Sequence, residues 1–332
     1  MKRIIIKFVN LISQIRHFFN KPNQSDKSEE KNSVNTEKTD IPKLIYPKII
    51  STWDHTSIAN KKAFDILNHH GKIIDAIEQG LNIVESNIRN QINPLENLFF
   101  NTCIMNEKSN FAGVALLKDI EYPISVACTM MKLNQNEILV GKKAKKFALK
   151  NGFEKFKSQF DPNTKSEHKK LKKQNNKVSQ EIKNTKIYPT IGILGMDKNG
   201  TIYGASITSE SGYRIEGKLD EAVMIGTGLF IDNEVGGAVA TGFGEAIIQT
   251  AGSHAVVESM RQGLSPDEAC KKIIERITEK YQNMDIENIQ CGFLAIDKNG
   301  NVGAYSIHTG FNYVYTDKNN HKIIHSDSLF ND

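Results

Sequence analysis

Hydrophobic residues recur with a helical period in the first third of the chain. Between Ile58 and Glu85 apolar side chains stand at positions 63, 67, 74, 77, 81 and 84, a spacing that puts them on one helical face. Gly71 interrupts this stretch, so the pattern predicts two helices separated there. Three shorter apolar runs predict strands at 49–53 and 111–117 and a helix at 124–131.

The second half of the chain contains two similar hairpin patterns. In residues 191–208 and again in 291–308, two strand-like runs flank the pair Asn-Gly (IGILGMDKNGTIYGASIT and CGFLAIDKNGNVGAYSIH). Asn-Gly readily takes the positive φ angles of a tight turn, so each segment predicts a β-hairpin. Between them we expect a helix from Glu245 to about Gln262 and another that begins at the capping box of residues 265–268 (SPDE). Helices between strands predict helix packed on sheet, an α/β (α+β) fold.

Three segments fall outside this pattern. Residues 1–19 place apolar side chains on one helical face and basic ones opposite, which predicts either peripheral contact with a membrane or a helix packed on its own domain. Residues 20–45 are polar and read as a disordered linker. Residues 159–187 are rich in lysine but lack interleaved aromatic residues, which favours a flexible solvated loop and no nucleic-acid partner.

The amino-acid composition limits the classes of protein to which this chain can belong. The 332 residues are 39% hydrophobic and 24% charged with a net charge of +5, and no uncharged apolar run approaches a membrane span. No small-residue cleavage site follows the N-terminal segment, so a cytoplasmic or membrane-associated location is favoured over secretion. The four cysteines form no CxxC, the nine histidines no HExxH, and no glycine-rich phosphate loop is present. We therefore expect neither a metal nor a cofactor.

The candidate for chemistry is Thr190, which stands between the lysine-rich loop and the first hairpin. A threonine hydroxyl is a poor nucleophile, but a cut before Thr190 would free an α-amine that can act as the base for its own hydroxyl. That amine titrates near roughly 7.7–8.0, close to neutral pH. From position alone, a threonine such as Thr190 is most often an ordinary residue at the start of a strand, and that interpretation is favoured without further evidence.

Several short motifs resemble the glycosylasparaginase family of N-terminal-nucleophile hydrolases, whose relatives are the isoaspartyl peptidases/L-asparaginases. From Thr190 onward these are TIGI at 190–193, TS at 208–209, GTGLFIDN at 226–233, TGFGE at 241–245, VESMRQG at 257–263 and PDEAC at 266–270. Upstream they are STW at 51–53, DAIEQG at 75–80, CIMN at 103–106, YPISVA at 122–127, LVG at 139–141 and FAL at 147–149. The resemblance covers about Ile49 to Asp317, with the motifs in the family's order.

The resemblance implies a four-layer αββα domain over residues 46–332, made as a precursor that cuts itself between Pro189 and Thr190. The parts 46–189 and 190–332 would stay together as α and β chains, and relatives pair such units into homodimers. Thr190 would attack the side-chain amide of an asparagine-type substrate and form an aspartyl ester. The family's oxyanion hole matches Thr241 and Gly242.

Further positions match family residues that tune the nucleophile, lie beside the site or bind the substrate. Thr208 matches a family threonine that tunes the nucleophile, and Trp53 fits a family position beside the site. Where the family holds the substrate's carboxylate with Arg and its amine with Asp, this chain has Lys218 and Glu221, with Asp220 as a substitute for Glu221.

Three departures from the family pattern keep other functions open. Pro189 replaces the aspartate that glycosylasparaginases carry before the nucleophile, Lys218 replaces the arginine, and residues 90–101 (NQINPLENLFFN) replace a glycine-rich stretch. One alternative is a degenerate homologue that neither cuts itself nor catalyses and serves as a binding protein. Another is an isoaspartyl peptidase or L-asparaginase, which differs only in substrate.

Overall fold

Two β-sheets and seven α-helices form from the residues that the computed structural model describes, 46–91, 98–135, 137–156, 190–210, 218–282 and 286–331. The fold is therefore mixed α/β. The predicted amphipathic segment 1–19, the linker 20–45, the loop 159–187 and Pro189 lie outside the described residues. No helix in the described part of the chain is long and apolar enough to cross a membrane.

The strands follow the hydrophobic runs of the sequence. They are β1 Lys48–Thr52, β2 Phe99–Met105, β3 Phe111–Leu117, β4 Ile138–Val140, β5 Ile191–Met196, β6 Ile202–Glu210, β7 Leu229–Asp232, β8 Gly236–Gly242, β9 Cys291–Asp297, β10 Val302–His308, β11 Asn312–Thr316, β12 His321–His325 and β13 Asp327–Phe330. Both predicted hairpins are confirmed, with β5 pairing β6 and β9 pairing β10 in antiparallel. Of each Asn-Gly pair only the glycine has a positive φ angle, 74° at Gly200 and 79° at Gly300, a conformation that glycine adopts without strain.

The strand order of the larger sheet mixes early and late parts of the chain. Its order is β12-β11-β1-β5-β6-β2-β3-β4, and that of the five-stranded sheet is β13-β10-β9-β8-β7. β1 thus lies between β11 and β5, and β2 pairs with β6. Every described strand before Thr190 belongs to the larger sheet, and two of them, β1 and β2, neighbour strands that follow Thr190.

The helices are α1 Ser57–Asn68, α2 Ile73–Gln91, α3 Pro123–Lys132, α4 Lys142–Lys150, α5 Gly244–Thr250, α6 Gly252–Arg261 and α7 Pro266–Tyr281. The predicted division at Gly71 and the helix at 124–131 are confirmed. The capping box is also present, because the Ser265 hydroxyl accepts from the Glu268 N–H and the Glu268 side chain accepts from the Ser265 N–H.

The single helix predicted from Glu245 to Gln262 is wrong: the structure has two helices, α5 and α6, separated at Ala251. Ala251 takes a left-handed conformation with φ 47°. The N–H groups of Ser253 and His254 donate to the carbonyls of Thr227 and Gly226 at 3.0 and 2.9 Å. The backbone at the start of α6 is thus bonded to a distant loop, which ends α5 after two turns.

Three hydrophobic clusters hold these elements together. The first packs α1, α2 and α3 on the larger sheet, for example Ile77 and Ile124 with Ile193. The second packs α5, α6 and α7 on the smaller sheet. The third contains residues of both sheets, and Gly192 of β5 lets Val239 of β8 approach, since a Cβ at Gly192 would lie 2.4 Å from the Val239 Cβ. All six residues of β5 are buried, which gives Thr190 a rigid support.

Candidate active site

Thr190 stands at the first described position after the loop, directly before β5, and only 6% of it is exposed. Its hydroxyl donates a hydrogen bond of 2.5 Å to Oε1 of Glu221. The Thr52 hydroxyl accepts from the Gly192 N–H at 2.9 Å and donates to the Thr190 carbonyl at 3.4 Å. The backbone and side chain of Thr190 are therefore both held from neighbouring elements.

The end of β1 connects Thr190 to the second sheet. Trp53, which follows Thr52, donates from Nε1 to the Thr241 hydroxyl at 3.2 Å. The Trp53 ring packs edge-on against Phe311 with the centroids 5.2 Å apart. Trp53 thus lies beside Thr241, and its indole N–H orients the Thr241 side chain.

Thr241 and Gly242 close strand β8. Thr241 is 1% exposed, whereas Gly242 is exposed. Gly242 has φ 115°, and a Cβ there would stand 2.1 Å from the Gln290 carbonyl oxygen, so only glycine fits. The exposed Gly242 thus follows the buried Thr241, and the Gly242 N–H and the Thr241 hydroxyl are two groups that can donate hydrogen bonds to one oxyanion.

Glu221 begins a 3-10 turn, Glu221–Val223, and is 5% exposed. The Thr227 hydroxyl donates to the Glu221 carbonyl at 3.1 Å and helps to hold this turn in place. Burial raises the pKa of the Glu221 carboxyl, the charges of Asp220 and Glu245 raise it further, and the hydrogen bond from Thr190 opposes the shift. Gly244 leaves room for the carboxylate, because a Cβ there would lie 2.4 Å from Glu221 Oε2.

Thr208 lies in β6 between the nucleophile candidate and β2. Ile191 pairs with Ile207, so the register places Thr208 next to Thr190 one step beyond that pair, and Thr208 pairs with Asn101 on its other side. It is 8% exposed. A buried residue at this position in the register is suited to influence the environment of the Thr190 side chain.

The three charged residues predicted to bind substrate make different contacts in the structure. Glu221 bonds Thr190, as described. Asp220 accepts from Asn101 Nδ2 at 2.6 Å, and Lys218 donates to Glu245 at 2.8 Å, where both side chains are almost half exposed. Glu245 lies between these two environments in its effects, because its charge raises the pKa of Glu221 and its own pKa is lowered by the hydrogen bond from Lys218.

The sequence predicts no role for two residues of this site, Thr52 and Asn101. Thr52 belongs to the STW motif, and the one signal for it in the sequence is a hydroxyl at the end of a strand that is buried from Ile49 onward. Asn101 lies where the pairing of β2 with β3 shifts register, and its Oδ1 accepts from the Leu116 N–H at 2.8 Å. A β-bulge of this kind changes the direction in which a side chain points, and no local pattern in residues 90–101 predicts the bulge.

No group of three His, Cys, Asp or Glu side chains that could hold a metal occurs in the described ranges. The four cysteines are free and buried, as expected from their spacing. Burial raises the pKa of Cys103 and of Cys291 to about 12, so neither thiol ionises readily.

Comparisons with known proteins agree with the motifs. A family model described as Asparaginase matches residues 48–325. The N(4)-(beta-N-acetylglucosaminyl)-L-asparaginase of Elizabethkingia miricola is 37% identical over 294 residues, which cover 83% of each chain. An L-asparaginase-like protein of Drosophila sechellia is 28% identical over 73% of this chain and 69% of its own length.

A shorter similarity concerns a probable isoaspartyl peptidase/L-asparaginase 3 of Arabidopsis thaliana, which is 34% identical over 39% of this chain and 33% of its own. The family model spans most of the chain, and the bacterial relative is well over 30% identical along most of it. This chain therefore belongs to the asparaginase family of amide hydrolases, together with the glycosylasparaginases.

Proposed function

We propose that this chain cuts itself before Thr190 and then hydrolyses the side-chain amide of asparagine derivatives, in the manner of a glycosylasparaginase. The observation that carries the proposal is the buried Thr190 hydroxyl, which is bonded to Glu221 and lies at the start of a fully buried strand. The similarity to the bacterial N(4)-(beta-N-acetylglucosaminyl)-L-asparaginase supports the substrate class.

After the cut, the freed α-amine of Thr190 takes the proton of its own hydroxyl. The Thr190 oxygen attacks the substrate's side-chain carbonyl, and the amine returns the proton to the leaving nitrogen. Ammonia or a glycosylamine departs and an aspartyl ester remains on Thr190, which water then hydrolyses. The hydroxyl of Thr241, oriented by Trp53, and the N–H of Gly242 stabilise the oxyanion in both steps. Thr208, next to Thr190 in the register, tunes the nucleophile.

The charged residues hold the two ends of the substrate. Glu221 binds the ammonium group, and Lys218 binds the α-carboxylate as a point charge in exchange for Glu245, its present partner. Asp220 supports Glu221 through its charge rather than by contact with the substrate, since it is buried against Asn101. The helices packed on each sheet and the cluster shared by the sheets support the αββα arrangement of the family.

The direct test is the mass of the purified chain. We expect two pieces that meet at the bond between residues 189 and 190, with stepwise N-terminal sequencing finding Thr190 first. Thr190→Ala should stay in one piece, and the matched Thr190→Ser, which keeps the hydroxyl, should still be cut. A single uncut wild-type chain that also fails to hydrolyse an aspartyl-β-amide reporter would refute the proposal in favour of a binding protein.

Substrates of three kinds separate the related activities. We expect the highest kcat/KM for an N-glycosylated asparagine, with free asparagine and a β-aspartyl dipeptide slower. A higher kcat/KM for the dipeptide or for free asparagine would place the chain with the isoaspartyl peptidases/L-asparaginases instead, the activity named for its plant relative.

A further inference from the structure

The self-cleavage proposed above needs a base that the sequence does not supply beside the bond. Before the cut the nitrogen of Thr190 belongs to an amide and cannot take the proton of the hydroxyl. The residue in front of it, Pro189, has no ionisable side chain. A carboxylate must therefore come from elsewhere in the fold if carboxylate assistance is retained.

We propose that Glu221 is the catalytic base of this self-cleavage, an inference that rests on the proposed function. Glu221 follows Thr190 by 31 residues, yet its Oε1 accepts a hydrogen bond of 2.5 Å from the Thr190 hydroxyl. A general base must lie within hydrogen-bond reach of the proton it removes, and this contact meets that requirement without rearrangement. Both residues are almost completely buried, so water does not compete for the hydroxyl proton.

The surroundings of Glu221 increase its basicity. Asp220 precedes it in the chain, and Glu245 faces it from the first turn of α5; both are acidic and both raise its pKa, after the larger effect of burial. Lys218 bonds Glu245 and partly offsets that charge. Cys291 of β9 is also near, since the charge of Glu221 adds to the burial that raises the pKa of its thiol to about 12, so the thiol stays neutral.

The step balances without any other reactant. Glu221 takes the hydroxyl proton as the Thr190 oxygen bonds to the carbonyl carbon of residue 189. The bond from that carbon to the Thr190 nitrogen then breaks, and the protonated Glu221 returns the proton to this nitrogen, which leaves as the α-amine. One water hydrolyses the resulting ester, giving the carboxyl end of one piece and restoring the Thr190 hydroxyl. Glu221 is then again a carboxylate, available to the substrate's ammonium group.

Self-cleavage involves no substrate, so its rate separates this role of Glu221 from its proposed role in binding. We would synthesise the full chain by cell-free translation and follow the appearance of the two pieces with time. Three variants accompany the wild type: Glu221→Gln, which keeps the shape but loses the charge; Glu221→Asp, which keeps a shorter carboxylate; and Glu85→Gln. Glu85 is a matched control, because it is a fully buried glutamate whose side-chain oxygen accepts from the Ile124 N–H and does not contact Thr190.

We expect Glu221→Gln to slow the cut about 100-fold or more, the usual contribution of a general base. Glu221→Asp should fall between that variant and the wild type, and Glu85→Gln should be cut at the wild-type rate. The wild-type rate should decrease as the pH falls through the raised pKa of Glu221, because only the carboxylate can accept the proton.

The outcomes separate the two proposals. If the wild type is never cut before Thr190, the proposed function fails. If the wild type is cut and Glu221→Gln, shown to be folded by its melting curve, is cut within about threefold of that rate, Glu221 is not the base although self-cleavage stands. Should Glu221→Gln fail to fold, the wild-type pH profile decides, and a constant rate between about pH 4.5 and 8 would overturn the assignment.

Discussion

Gly244→Ala should slow self-cleavage while leaving the fold intact. Gly244 begins α5, and its φ is not among the positive ones, so alanine can adopt its backbone conformation and gains up to about 1 kcal/mol of helix propensity. The new Cβ would stand 2.4 Å from Glu221 Oε2. Since an ordinary carbon–oxygen contact is near 3.4 Å, the carboxylate must move by about 1 Å.

If the shift carries Oε1 directly away from Thr190, the Thr190–Glu221 contact lengthens from 2.5 Å to about 3.5 Å, beyond the usual range of an O–H···O hydrogen bond. Misplacement of a reacting group by about 1 Å can cost about 100-fold in rate, so we expect the cut to be 10- to 100-fold slower. The assay is the time course of the two pieces after cell-free synthesis, with thermal melting of the purified variant to show that it is folded.

A double-mutant cycle gives the sharper result. In Glu221→Asp the carboxylate is withdrawn by one methylene, which makes room for the methyl group of Gly244→Ala. The glycine substitution should therefore cost much less in that background than in the wild type. Equal slowing in both backgrounds, or none in the wild type, would refute the reasoning that the Glu221 carboxylate must stay against Thr190.

Three further predictions concern other contacts of the site and the core. Trp53→Phe keeps an aromatic ring but loses the N–H on Thr241, so kcat for a reporter amide should fall about 2- to 10-fold, as expected for one hydrogen bond; an unchanged kcat would show that Thr241 needs no orientation. Asn101→Ala removes the 2.6 Å bond to buried Asp220 and should lower the free energy of unfolding in urea by about 1–3 kcal/mol; no change in midpoint would contradict this. Burial raises the pKa of Glu85 well above 4.5, so the stability that its neutral form contributes is lost as the pH rises through the folded-state pKa. The melting temperature of Glu85→Gln, which cannot ionise, should therefore rise relative to that of the wild type over the same pH range. A difference in melting temperature that does not change with pH would contradict this.

Local chemistry accounts for what the sequence predicts correctly. Asn-Gly pairs and the capping box of residues 265–268 specify their turns within a few residues, so the hairpins and the start of α7 are found from sequence. The break at Ala251 depends on hydrogen bonds to Gly226 and Thr227, some 25 residues away in the chain, and the helical pattern runs through it unchanged. Pairing across the sheets is equally hidden from local patterns.

The candidate site shows the same limit. The resemblance predicts Thr190, Thr241 and Glu221 as site residues, but the contact between Thr190 and Glu221 and the support from Thr52 depend on how distant elements pack. The homodimer and the membrane contact of residues 1–19 stay predictions.

The strand order of the larger sheet has a consequence for a molecule cut before Thr190. The early strand β1 lies between the late strands β5 and β11, and β2 lies beside β6, so the two pieces are joined along three ladders and remain associated. An uncut chain regains this pairing by a unimolecular reaction, whereas two denatured pieces must first meet in solution. Recovery of the cut form after heating would therefore depend on protein concentration, and dilution would make its thermal inactivation irreversible.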